Sequence, residues 1–73
     1  MNTQKELEIL GKSLIGKKAQ SKLLTELTAS GRQILSPAKV ITAYEIVQSF
    51  MEPTLMVTID GETIFEETLI NIH

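Results

Sequence analysis

The chain has 73 residues, of which 42% are hydrophobic and 22% charged, and its formal net charge is −2. A chain of this length forms one domain, residues 1–73, with the composition of a globular protein rather than a disordered segment. It contains no cysteine, which excludes disulfides and thiolate metal sites, and no apolar run approaches the ~20 residues of a membrane helix. Its N-terminal segment lacks the apolar stretch of a secretory signal, so we expect a soluble, cytoplasmic protein.

The charges are sorted by position along the chain. The first 39 residues hold all seven basic side chains and three of the nine acids, whereas the remainder holds six acids and no base. Such a split indicates recognition through complementary charge, by a partner, by a second copy or between two parts of the fold.

The first predicted helix begins at Thr3. Glu6 follows at the spacing of a capping box, and a single apolar stripe comes next, formed by Leu7, Leu10 and Leu14. Gly16 is placed to end this helix. Gly11 inside it costs about 1 kcal/mol relative to alanine, so we expect another part of the chain to pack closely against it.

A second helix is predicted over Ala19 to Ser30. Ala19, Leu23 and Leu27 lie four residues apart, and Gly31 supplies a stop signal. A single helix over residues 3–29 is disfavoured because its heptad seam would contain Lys17 and Ser21.

The strongest helix start signal in the chain is Ser36-Pro37, a capping serine followed by proline. The third predicted helix runs from there to about Met51, because Pro53 disfavours helical geometry at residue 52. Apolar side chains would cover most of its circumference, which is typical of a buried central helix or of half a dimer interface.

After Pro53 the apolar period changes to two. Leu55, Val57 and Ile59 alternate with more polar residues and predict a half-buried strand. Asp60-Gly61 predicts a tight hairpin turn. Two registers are compatible with it, one pairing Val57 with Ile64 and the other pairing Ile59 with Ile64. Residues 68–72 could continue as a third strand after a bend at residues 66–67.

The expected fold class is therefore α+β, with three N-terminal helices followed by a C-terminal antiparallel β-hairpin. This element order resembles that of a winged helix, an analogy of architecture rather than a match of motifs. We expect a homodimer, because the third helix and the tail carry more apolar surface than a monomer of this size easily buries.

The side chains needed for catalysis are scarce. His73 is the only histidine and the last residue, and chain termini rarely preorganise a catalytic group. Gly11-Lys12-Ser13 resembles the end of a phosphate-binding loop, but Glu6 occupies the position of the first required glycine. We therefore expect no enzymatic activity, no cofactor and no metal site.

Four lysines, Lys12, Lys17, Lys18 and Lys22, would surround the corner between the first two helices. Free N–H groups at the start of the second helix would make this corner attractive to phosphates or carboxylates. It is the candidate anion or nucleic-acid site of a helix–turn–helix or winged-helix DNA-binding regulator. The acidic third helix and hairpin would repel DNA where this fold normally contacts it, so DNA binding is the alternative function.

Three glutamates of the hairpin region, Glu62, Glu66 and Glu67, form a candidate acidic docking face for a basic protein. Acids on an exposed strand can equally serve only to prevent edge-to-edge aggregation. The predicted function is a small, non-enzymatic interaction or regulatory module that binds a protein partner through charge-complementary surfaces.

Overall fold

A computed structural model describes residues 3–48 and 50–73. Within these residues it contains one helix, seven strands and one 3-10 turn, so the domain is mostly β-sheet. The elements are α1 (Gln4–Leu14), β1 (Lys18–Ser21), β2 (Thr25–Leu27), β3 (Gln33–Leu35), β4 (Lys39–Gln48), β5 (Pro53–Ile59), β6 (Glu62–Phe65), the 3-10 turn (Glu66–Thr68) and β7 (Leu69–Ile70). The predicted α+β fold of three helices and a C-terminal hairpin is therefore wrong: of the three predicted helices only the first is present in the described residues, and most of the domain is sheet.

Five strands form the main sheet, in the order β6-β5-β4-β1-β7, with all neighbours antiparallel. Strands β4, β5 and β6 are consecutive in the chain and form two hairpins that share β5. On the other side of β4, the sheet continues with β1 and β7. The two remaining strands, β2 and β3, pair only with each other in a separate two-stranded sheet.

The core lies between α1 and the inner face of the sheet. From the helix it takes Leu7 and Leu14, and the sheet contributes the other buried apolar side chains: Ala19, Ile41, Leu55, Val57, Ile59, Ile64 and Leu69. Ile41 and Val57 have no exposed surface. The central strands β4 and β5 therefore carry the tightest packing of the domain.

Helix α1 confirms the predicted start and end. The Glu6 amide donates to the Thr3 hydroxyl at 3.2 Å, and the Glu6 carboxylate accepts from the Thr3 amide at 3.5 Å, which completes the capping box. Gly16 has φ +88° just after the helix. This left-handed conformation is costly for residues with a Cβ, which explains why the helix ends at a glycine.

Removal of the cap should weaken the domain measurably. We expect Thr3→Ala to lower the free energy of unfolding by about 1 kcal/mol, because one amide at the helix start loses its acceptor. Urea unfolding followed by circular dichroism measures this. Thr3→Ser keeps the hydroxyl and should retain most of the stability. An equal loss in both variants would contradict a role for the cap.

The close approach expected at Gly11 is present. Gly11 is buried, and the ring of Tyr44 on β4 lies against it: a Cβ added there would sit 2.6 Å from Tyr44 Cγ and 2.8 Å from Cε2. Such distances are far below van der Waals contact. Glycine at this position therefore lets α1 approach the sheet.

The third predicted helix is instead strand β4, and Ser36-Pro37 precedes a strand rather than a helix. The register of β4 against β5 shifts between Ile41 and Ala43, which is a bulge that contains Thr42. Inward-facing residues are consequently Ile41 before the bulge and Tyr44 after it, so the period of two is interrupted. Because the bulge interrupts the alternation, apolar residues lie on both faces of β4. The resulting sequence pattern resembles that of a helix with apolar residues on all sides.

The second predicted helix is also wrong. Residues 18–21 form β1 and residues 25–27 form β2. Ala19 is fully buried, but Leu23 and Leu27, which should have shared its helix face, are 59% and 71% exposed. Pairing of β1 with β4 and β7 outweighs the local helical spacing, as tertiary context commonly outweighs propensity.

The C-terminal hairpin is confirmed, and the structure selects one of its two registers. Val57 pairs with Ile64 and Met56 with Phe65, so Asp60 and Gly61 are the two loop residues. Their φ angles are +52° and +77°, as a type I′ turn requires. The bend expected at residues 66–67 is the 3-10 turn, and the short third strand is β7, which pairs with β1.

The hairpin of β2 and β3, residues 25–35, is here called the arm. Of its six strand residues only Leu35 is even partly buried. The domain measures 44 × 26 × 19 Å and its radius of gyration is 13.4 Å, against about 11 Å for a compact chain of this length. The elongated shape is that of a domain from which a hairpin projects.

Candidate functional site

A groove of about 290 Å³ lies beside the start of α1. Three separate parts of the chain form it: α1, residues 52–55 at the start of β5, and residues 65–67 at the end of β6 and in the 3-10 turn. Its lining residues, which define what is called the acidic groove below, are Leu7, Glu52, Pro53, Thr54, Leu55, Phe65, Glu66 and Glu67.

The floor of the acidic groove is apolar and well supported. Leu7 and Leu55 are 5% and 4% exposed and belong to the core. Phe65 is 44% exposed and forms an apolar part of the wall. Nearby, the Gln48 side chain donates to Gln4 Oε1 at 3.2 Å and joins the end of β4 to the start of α1. The groove is thus built on regular structure rather than on a loop alone.

Carboxylates line the same groove. Glu66 and Glu67 form the first turn of the 3-10 element, and Glu52 lies just before β5. The Thr68 hydroxyl donates to the Phe65 carbonyl at 2.7 Å, and the Leu69 amide bonds to the Glu66 carbonyl. These bonds hold the turn that presents Glu66 and Glu67.

Two residues at the tip between β4 and β5 extend the apolar character outward. Phe50 is 101% exposed and Met51 is 85% exposed. They directly precede Glu52 and Pro53 of the groove lining. Large apolar side chains at such exposure commonly mark contact surfaces.

The structure divides the predicted acidic face. Glu66 and Glu67 lie together in the acidic groove, but Glu62 begins β6 and lines a second cavity of about 230 Å³. That cavity is bounded by β1, the base of the arm and the β5–β6 turn, and Lys39 lies on its edge with Asp60. Two acids and one base line this cavity, whereas only acids are charged in the lining of the acidic groove, so the acidic groove is the better-defined acidic site.

The four predicted basic residues lie on exposed surface around the end of α1 and β1: Lys12, Lys17, Lys18 and Lys22. The helix–helix corner on which their role as an anion site depended does not form, because residues 18–21 are a strand. The Lys18 amide donates to the His73 carbonyl at 2.9 Å, and the His73 amide donates to the Lys18 carbonyl at 2.8 Å. Contact of these lysines with an anion stays a prediction.

Sequence reasoning missed the apolar half of the groove. Leu7 and Leu55 were predicted only as core residues, and Phe65 only as a strand residue. The adjacent pair Phe50-Met51 was the available signal, since two large apolar residues directly precede an acid and a proline.

No family model, no curated protein and no solved structure matches this chain. Among the described residues, no group of three or more histidine, aspartate or glutamate side chains is arranged to hold a metal ion. In the same part of the chain, no helix has both the length and the apolar character needed to cross a membrane.

Proposed function

We propose that this protein is a non-enzymatic interaction module of the cytoplasm that binds a protein partner through the acidic groove. The partner segment carries an apolar side chain flanked by lysine or arginine. One observation carries the proposal: three glutamates and a half-exposed phenylalanine line one concave surface with a buried leucine floor.

The chemistry of the groove selects this ligand. An apolar anchor against Phe65, which is 44% exposed, would remove apolar surface from water, which supplies about 25 cal/mol per Å². Cationic flanks would meet Glu66 and Glu67, which adds specificity and faster association more than raw affinity. A segment with acidic flanks would be repelled by the same carboxylates.

The alternative function is nucleic-acid binding through Lys12, Lys17, Lys18 and Lys22. Its main support was the predicted helix–turn–helix arrangement, and residues 3–48 and 50–73 contain no such unit. It therefore ranks below protein binding and serves as the competing outcome of the test.

The test uses two synthetic nine-residue peptides with the same central phenylalanine, one flanked by lysines and the other by glutamates. We expect the lysine peptide alone to bind the ¹⁵N-labelled protein saturably, with NMR shift changes at residues 52–55 and 65–67. Binding should weaken as salt rises, because screening reduces attraction between exposed charges.

Charge reversal distinguishes the groove from general acidity. The double variant Glu66→Lys/Glu67→Lys should weaken lysine-peptide binding by about tenfold or more. Glu62→Lys reverses the same kind of charge on the same hairpin but outside the groove, and should have little effect. Equal effects of the two variants would refute the groove. Saturable binding to a short DNA duplex, lost on Lys17→Glu/Lys18→Glu, would support the alternative instead.

A further inference from the structure

The arm exposes apolar side chains that the rest of the chain does not cover. Leu27 is 71% exposed and Ile34 is 42% exposed. An isolated two-stranded hairpin is only marginally stable in water, and three or more strands with an apolar face are usually required. The arm would therefore gain stability from additional strands.

The outer edge of β3 offers backbone groups for such pairing. Within the arm, the Thr28 amide donates to the Arg32 carbonyl at 2.8 Å, and the Ser36 amide donates to the Leu24 carbonyl at 2.9 Å. Residues 32 and 36 thus face β2, and because bonding alternates along an antiparallel strand, Ile34 faces β2 as well. The N–H and C=O groups of Gln33 and Leu35 point away from β2.

The outer edges of β6 and β7 are less suited to pairing. The outer edge of β6 is flanked by Glu62 at its start and by Glu66 at its end, and charged side chains discourage pairing. Strand β7 has two residues, too few for a ladder. Residues 33–35 of β3, Gln-Ile-Leu, carry no charged side chain and are long enough to form a short ladder.

We propose that two copies of this chain pair through the outer edges of β3, antiparallel and centred on Ile34. The two arms then form one four-stranded sheet. Antiparallel pairing of a strand with its own copy has two-fold symmetry, so the dimer is closed. Gln33 exchanges hydrogen bonds with Leu35 of the partner subunit, and Leu35 does so with Gln33 of the partner subunit.

Charge favours β3 over β2 as the paired edge. In β3, Ile34 lies directly opposite Ile34 of the partner subunit in a non-hydrogen-bonded pair, where side chains are closest. The same arrangement of β2 would place Glu26 opposite Glu26 of the partner subunit, and like charges there are destabilising. Of the two pairings, only that through β3 places apolar side chains of the two subunits opposite each other at its centre.

This interface is small, so the dimer is weak and depends on concentration. It uses neither the acidic groove nor its ligand, and so it stands independently of the proposed function. Sedimentation velocity over about 10 µM to 1 mM covers the range in which such weak contacts dissociate. We expect monomers at the lowest protein concentration and dimers at the highest.

Two matched proline variants test which edge is used. Gln33→Pro removes an outward amide from β3, and Thr25→Pro removes an outward amide from β2. Both variants lose the same hydrogen bond, from Gln33 Nε2 to Thr25 Oγ1 at 2.8 Å. We expect Gln33→Pro to weaken dimerisation by about tenfold or more and Thr25→Pro to leave it largely unchanged.

Amide hydrogen exchange of the unmodified chain gives a second measurement that does not depend on how the variants fold. Protection of the Gln33 and Leu35 amides should rise with protein concentration, whereas the Thr25 and Leu27 amides should not respond. A monomer at every concentration, or dimerisation lost on Thr25→Pro but kept in Gln33→Pro, would overturn the proposal.

Discussion

Gly11→Ala is expected to destabilise the protein, even though alanine is the better helix former. Overpacking of a buried site typically costs 1–3 kcal/mol. Here the added methyl would meet the base of the Tyr44 ring, at 2.6 Å from Cγ. Because Cγ is close to the backbone, a small movement of the ring tip cannot relieve the contact. Either α1 moves away from the sheet or Tyr44 changes rotamer.

The sign of this effect should depend on Tyr44. In a Tyr44→Ala background the opposing ring is gone, and Gly11→Ala should stabilise the protein by about 1 kcal/mol through helix propensity alone. Urea unfolding of the four proteins gives the coupling energy, expected at about 2 kcal/mol within the range for contacting residues. If Gly11→Ala has the same effect in both backgrounds, the ring is not what requires glycine.

Ile41→Ala should cause the largest loss of stability among simple truncations. Ile41 has no exposed surface, and its strand is central in the sheet, between β5 and β1. Truncation of a buried isoleucine costs about 2–5 kcal/mol, whereas a domain of this size has roughly 4–11 kcal/mol in total. We therefore expect a large shift of the urea midpoint and partial unfolding at 37 °C.

Val40 provides the matched control for Ile41. It is the preceding residue on the same strand but is 42% exposed, so Val40→Ala should change stability by about 0.5 kcal/mol or less. Equal losses in the two variants would mean that β4 does not have the orientation described here.

The parts of the fold that could be predicted are those encoded by short-range patterns. The capping box of α1 and the glycine that ends it are local signals, and the structure contains both. The alternation from Leu55 to Ile59 and the Asp60-Gly61 turn likewise specify a hairpin from within a few residues. Each depends on dihedral preferences and neighbouring side chains, not on remote contacts.

The region from residue 19 to residue 48 could not be predicted in this way. Two of its strands have partners far away in sequence: β1 pairs with β7, and β4 pairs with β1. The bulge in β4 removes the alternation that would have revealed the strand. Ser36-Pro37 is compatible with a helix start, but proline also fits an extended segment before a strand.

The candidate site was likewise predictable only in part. The acids at positions 66 and 67 were singled out because the C-terminal part of the chain has no balancing base. The floor of the groove comes from Leu7 of α1 and Leu55 of β5, which are 48 residues apart in the sequence. Only packing of α1 against the sheet brings Leu7 and Phe65 to one groove.

By itself, the sequence determined the first helix, the C-terminal hairpin, the separation of charge and the scarcity of catalytic side chains. These follow from composition and from patterns a few residues long. The tertiary structure alone decided that residues 39–48 form a strand, that the glutamates 66 and 67 share a groove while Glu62 does not, and that β3 has an open edge. The physical reason is that strand pairing is non-local: the free energy that selects it comes from hydrogen bonds and burial against distant residues, which no short window of sequence contains.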